Sequence, residues 1–173
     1  MKKILFITLF IFIFLLAGNV GEAKVIIPDE AIRLRVIPHS NSEYDKNIKS
    51  KVKTKLQSDV AILLKDTKDI SEARDIIENN LLAINNKINE ALKEENYNLG
   101  YKIDFGYNYF PEKIYKGVTY EAGYYESLVI TLGNGQGSNW WCVLFPPLCL
   151  MEAEESDDIE YASFVKEIID KYK

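Results

Sequence analysis

The sequence contains few of the residues from which catalytic and metal sites are usually built. It has one histidine, His39, and two cysteines, Cys142 and Cys149, among 173 residues. The histidine precedes the first cysteine by about a hundred residues, which matches no common ligand spacing of a zinc site. There is no nucleophile-elbow serine, no metalloprotease helix motif and no marked pair of carboxylates. We therefore predict no metal, no cofactor and no enzymatic activity.

The sequence also has fewer basic residues than acidic ones. The chain has 21 lysines and arginines against 26 aspartates and glutamates, which gives a formal net charge of −5. Proteins that bind nucleic acid need a basic footprint, so no nucleic acid is expected as a partner. The acidic balance also argues against attachment to anionic lipid by charge alone, which leaves a peripheral membrane contact by other means open.

A long hydrophobic run occurs at the N-terminus. Met1-Lys2-Lys3 precedes the uncharged run Ile4–Leu16, and Gly21-Glu22-Ala23 supplies the small residues that a signal peptidase reads. Residues 1–23 are therefore predicted to be a cleaved signal peptide. The alternative is an uncleaved anchor, although a spanning helix needs about 18 to 20 apolar residues. Both alternatives place the chain after Lys24 outside the cytoplasm, because the basic residues stay inside.

The remaining chain is long enough for one domain with a core, at about 150 residues. Its hydrophobic periodicity predicts a strand, two amphipathic helices, three or four strands and a last helix. This order favours an α+β fold, a mainly antiparallel sheet with two long amphipathic helices packed on one face and a C-terminal helix. We divide it into an exported α+β domain, residues 24–151, followed by an acidic linker and a C-terminal amphipathic helix in residues 152–173.

Local signals fix the predicted helix starts. Ser42 with Asp45, and Asp69 with Glu72, form capping pairs. The first helix carries a lysine-rich face that could contact phosphate groups, and a solvated helix face is the simpler interpretation. The members of this face are Lys46, Lys49, Lys51, Lys53 and Lys55.

A glycine-rich segment, Gly133–Gly137, follows the predicted central strand. A phosphate-binding loop would need Lys-Ser or Lys-Thr and a helix after it, and neither follows here. We therefore predict a hairpin turn, in which glycine supplies positive φ angles.

The segment after this turn is the unusual part of the sequence, because it holds both tryptophans and both cysteines. Adjacent tryptophans on a strand point to opposite faces, so one can be buried while the other is exposed. An exposed tryptophan beside a rigid Pro-Pro pair is typical of an interaction hot spot, whereas the alternative is that the helices cover both indoles. The predicted partner-binding residues are Asn139, Trp140, Trp141, Phe145, Pro146 and Pro147.

The two cysteines allow two interpretations. In an oxidising compartment Cys142 and Cys149 could form a disulfide, worth about 2 to 3 kcal/mol for a short loop, or they could stay buried thiols. A nucleophile pair of Cys142 with His39 is the sharpest enzymatic idea, and it would make the protein an exported cell-envelope hydrolase. The apolar strand around Cys142 argues for an inert thiol instead.

Several of these motifs together resemble the stage II sporulation protein R family of endospore-forming bacteria. The resemblance spans about residues 28–150, nearly the whole exported domain, and its most specific part is Asn139–Cys149. The other matching pieces are Ile32–Ile37, Ser40-Asn41-Ser42 with Asp45, the lysine-rich helix, Tyr115, Ala122-Gly123-Tyr124-Tyr125 and the glycines of Gly133–Gly137. The family usually has Ala-Asn where this chain has Pro38-His39, which weakens the case for a catalytic His39.

The resemblance implies a role that the residues alone do not reveal. Family members are exported from the forespore into the space between the two septal membranes. There they trigger the membrane-embedded aspartic peptidase that processes pro-sigma-E, from its extracytoplasmic face. The resemblance implies a signal rather than a protease and carries over no catalytic residues. A third interpretation is a passive envelope-binding domain.

Overall fold

The computed structural model describes residues 25–26, 30–116, 118–150 and 158–172. The signal peptide predicted in residues 1–23 and the linker residues 152–157 lie outside this part of the chain. The strands are β1 (Val25–Ile26), β2 (Ile32–Ile37), β3 (Tyr101–Phe110), β4 (Lys113–Tyr115), β5 (Val118–Tyr120), β6 (Gly123–Leu132) and β7 (Trp140–Phe145). The helices are α1 (Glu43–Leu64), α2 (Ile70–Glu94) and α3 (Asp158–Lys171).

A four-stranded sheet with the order β3-β6-β2-β7 forms the centre of the protein. The β2–β6 pair is parallel, and the β3–β6 and β2–β7 pairs are antiparallel. Strands β6 and β2 are therefore the inner strands, which agrees with the nearly continuous apolar sequence of β6. The predicted α+β fold with a mainly antiparallel sheet is confirmed.

The two long helices pack on one face of this sheet, as the sequence predicts. Alternate residues of β2 (Ile32, Leu34 and Val36) point to this face and are fully buried. They share one hydrophobic core with the apolar stripes of α1 and α2. Leu64 completes the apolar stripe of α1, and Tyr44 at the start of the helix is half exposed.

Both predicted helix caps are present. The Ser42 hydroxyl accepts a hydrogen bond from the Asp45 backbone N–H at 3.1 Å, and the Asp69 carboxylate accepts one from the Glu72 N–H at 2.9 Å. These bonds satisfy N–H groups that have no partner inside a helix, which explains why the helices begin at these points.

The opposite face of the central sheet carries a smaller sheet and α3. In the smaller sheet β4 and β5 form an antiparallel pair, and Lys116 between them adopts a left-handed turn conformation with φ 48°. A second cluster of apolar side chains joins α3 to β7 and β5. Its buried members are Ala31, Val118, Val143, Leu148, Tyr161, Val165 and Ile169. Asp158 is the first residue of α3, which lies within the predicted C-terminal segment 152–173.

Within the described residues, no helix is both long and apolar enough to cross a membrane.

Candidate functional site

The two tryptophans lie at the start of β7, an outer strand of the central sheet, and point to opposite faces. Trp140 packs against the helix-side core, with Lys53 Nζ 5.3 Å from its ring centroid. Trp141 lies on the other face, where it meets Phe110 edge-on at 5.3 Å and has Lys113 Nζ at 5.3 Å. Both indoles are half-buried, so each presents part of its ring to solvent.

The remaining predicted partner-binding residues divide by burial. Asn139 and Pro147 are half-buried, like the tryptophans, whereas Phe145 and Pro146 are buried. Phe145 belongs to the core and contacts Tyr172 at 5.1 Å between ring centroids. Of the residues predicted to bind a partner, Phe145 and Pro146 are therefore buried at the end of β7, and those at its start remain partly exposed.

A disulfide joins Cys142 to Cys149, with their Cα atoms 5.6 Å apart. It draws the short 3₁₀ turn Leu148–Leu150 back against β7, where the Gln57 side chain also donates a hydrogen bond to the Cys149 carbonyl. Cys142 therefore has no thiol to act as a nucleophile. The His39 ring is also engaged elsewhere, since its Nδ1 accepts a hydrogen bond from the Asn134 N–H at 3.0 Å. The disulfide therefore rules out the Cys142–His39 nucleophile pair, which the sequence offered only as an alternative.

The glycine-rich segment is a crossover rather than the predicted hairpin. Strand β2 lies between β6 and β7, so residues 133–139 must pass over the end of β2 to reach β7. Gly133 and Gly135 have φ angles of 53° and 65°, as predicted for glycines in a turn. The N–H groups of Gln136 and Gly137 donate to the carbonyls of His39 and Pro38. These two N–H groups therefore attach the glycine-rich loop to residues 38 and 39 and are not available to bind a phosphate.

The crossover packs against the loop at residues 38–42, and this loop is in turn hydrogen-bonded to Asp45 of α1. The Asp45 carboxylate accepts hydrogen bonds from the Ser40 and Ser42 hydroxyls. The bond from Ser40 holds the pKa of Asp45 below its ordinary value. The Asn41 side-chain oxygen accepts a hydrogen bond from the Ser138 N–H at 2.7 Å, which fixes the chain just before the tryptophans.

Three lysines surround the start of β7, and we call them, with Trp140 and Trp141, the tryptophan–lysine edge. Lys49 and Lys53 belong to α1, and Lys113 belongs to β4. No carboxylate among the described residues forms an ion pair with any of the three. Sequence reasoning missed Lys113, because its position beside Trp141 depends on the way the two sheets pack.

Most of the chain, including the tryptophan–lysine edge, matches a known protein family. The profile of the family described as Stage II sporulation protein R matches residues 28–155, which include the whole tryptophan–lysine edge. The chain belongs to the stage II sporulation protein R family. A member from Bacillus subtilis (strain 168), named Stage II sporulation protein R, is 38% identical over 171 aligned positions that cover 92% of this chain and 76% of that protein.

Membership in the stage II sporulation protein R family confirms the resemblance inferred from the sequence and supports a role in sporulation. No solved structure matches the chain.

Proposed function

We propose that this protein is a secreted signal that passes from the forespore to the mother cell and triggers the membrane-embedded aspartic peptidase that processes pro-sigma-E. The signal acts from the intermembrane space of the sporulation septum. It contacts the extracytoplasmic face of the peptidase and cuts no bond itself.

Membership in the stage II sporulation protein R family carries this proposal, since it ties the chain to sporulation. The structure adds that the most distinctive sequence segment lies at an open strand of the central sheet, where Trp140 and Trp141 are half-exposed. A surface with two partly exposed tryptophans suits recognition of another protein. Because Cys142 is bound in a disulfide, the hydrolase alternative has no nucleophile.

Deletion of the gene tests the proposal. We expect a sporulating strain without this protein to accumulate pro-sigma-E, because the peptidase is not triggered, and immunoblotting against sigma-E measures the unprocessed and processed forms. Reintroduction of the intact gene should restore processing. Normal processing in the deletion strain would contradict the proposal and would leave a passive envelope-binding domain as the better description.

A further inference from the structure

The lysines of the tryptophan–lysine edge converge from two sides of the central sheet. Lys53 lies over the Trp140 ring on the helix face, and Lys113 lies by the Trp141 ring on the other face. Between them, Lys49 Nζ donates to the Ser138 carbonyl at 2.9 Å, immediately before β7. The pKa of Lys49 is lowered by burial first and then by the charges of Lys46, Lys113 and Lys53, which agrees with this crowding. A net acidic protein thus carries a local concentration of positive charge here.

The outer edge of β7 is open at the same place. Within the described residues β7 pairs with β2 on one side and with no strand on the other. Every second residue of such an edge strand directs its N–H and C=O groups away from the sheet. The far end of β7 is occupied by the 3₁₀ turn, whose Cys149 Sγ lies 3.1 Å from the Val143 carbonyl oxygen. The end at Trp140 and Trp141 is therefore the accessible part.

We propose that the tryptophan–lysine edge binds an extended, acidic segment of the partner protein, which adds to the central sheet as a further strand beside β7. Side chains along an added strand alternate between the two faces of the sheet. An acidic side chain at one position would then meet Lys49 and Lys53 beside Trp140, and one at the next position would meet Lys113 beside Trp141. Consecutive acidic residues in a strand-forming segment are the chemistry that this edge fits.

A membrane surface is a second kind of partner that tryptophan and lysine side chains often contact. The open strand edge argues against it here. If the start of β7 were pressed into lipid, its outward N–H and C=O groups would be left without hydrogen-bond partners, whereas a peptide strand satisfies them. The overall charge of −5 also opposes an anionic membrane. The observations therefore favour a peptide segment.

This inference rests on the proposed function for the identity of the partner, but it can be tested without the peptidase. The protein is recovered from the medium of a secreting strain with its disulfide intact. The probe is a fluorescein-labelled peptide with a run of glutamates flanked by valine and threonine, and fluorescence anisotropy measures binding. A second peptide carries the same number of glutamates with prolines placed between them, so it keeps the charge and cannot form the ladder of a strand.

Charge reversal at the edge supplies the variants. Lys53→Glu and Lys113→Glu should each weaken binding of the strand-forming peptide about tenfold, since each replaces an attractive charge by a repulsive one. Lys102→Glu is the matched control, because Lys102 is an exposed lysine on β3, the opposite outer strand of the same sheet. Its affinity should stay close to that of the wild type, and thermal unfolding of all three variants shows that they remain folded.

Two results would overturn the inference. One is peptide binding that does not depend on Lys53 and Lys113, or that is equal for the proline-containing peptide. The other is absence of peptide binding while phosphatidylglycerol vesicles bind the protein and lose binding in the same variants, which would identify a membrane as the partner. Neither result bears on the proposed function, which is tested separately by pro-sigma-E processing in the deletion strain.

Discussion

At the scale of single residues, Gly137 shows how closely the crossover loop packs on the segment that precedes α1. A β-carbon at this position would overlap the Ser40 carbonyl oxygen and the Pro38 ring. The Gly137 N–H already donates to the Pro38 carbonyl at 3.0 Å, so the two segments cannot move apart without losing that bond. The need for glycine here comes from a close backbone approach rather than from a positive φ angle.

We expect Gly137→Ala to lower the free energy of unfolding by about 1 to 3 kcal/mol, the usual cost of forcing extra volume into a packed site. Denaturant unfolding followed by circular dichroism measures this change. Gly106→Ala is the matched control, because a β-carbon at Gly106 in β3 would meet nothing within 4 Å. Equal stabilities of the two variants would show that the crossover loop is not held as the structure describes.

Only part of the candidate site could be predicted from the sequence. The opposite orientation of Trp140 and Trp141 was predictable, because it follows from the period of two along any strand. The burial of Phe145 was not, because it comes from packing against distant parts of the chain, Tyr172 among them. The contribution of Lys113 could not be foreseen for the same reason, since 28 positions separate it from Trp141 in the sequence.

At the scale of elements, α3 packs against β7 and β5 on the face of the central sheet opposite the long helices. Its buried residues Val165 and Ile169 pack in one cluster with Val143 of β7. The Tyr161 hydroxyl lies 2.8 Å from that of Tyr120 in β5, and this contact adds a polar link. Burial raises the pKa of Tyr161 above its ordinary value.

Ile169→Ala should therefore destabilise the whole protein rather than α3 alone. We expect a loss of about 2 to 4 kcal/mol in the free energy of unfolding, because the change leaves a cavity against β7. Lys166→Ala, at an exposed position of the same helix, should change stability by less than about 0.5 kcal/mol. If Ile169→Ala unfolds with the same midpoint as the wild type, α3 is not part of the cooperative unit.

The order of elements along the chain was predictable because periodicity and capping are local properties. The helix caps at Ser42 and Asp69 could be predicted from neighbouring residues, and so could the long strand β6. The spatial order of the strands was not predictable in this way. Insertion of β2 between β6 and β7 brings together segments about a hundred residues apart, and this long-range pairing turned the expected hairpin into a crossover.

At the scale of the whole molecule, the proposed function depends on the predicted export signal as much as on the folded domain. A chain that lacks residues 2–23 should fold but stay inside the cell that makes it, so processing of pro-sigma-E should be lost. Cell fractionation locates the protein, and immunoblotting against sigma-E measures processing.

Fusion of an unrelated cleavable export signal to the same shortened chain is the control for this prediction. It should restore processing, since the proposed contact surface lies entirely in the exported domain. Continued processing by a chain that stays in the cytoplasm would show that the protein does not act from the intermembrane space.

The position of β2 between two late strands also determines when the protein can fold. Its partners are residues 127–131 of β6 and 140–145 of β7, so the first strand of the central sheet along the chain cannot pair until the last strands are available. Few of the pairings that build the sheet can form before almost the entire chain has emerged, and non-local pairings of this kind form slowly. If the protein is exported as proposed, this topology would leave the sheet unpaired while the chain crosses the membrane, and the tryptophan–lysine edge would be completed only on the far side.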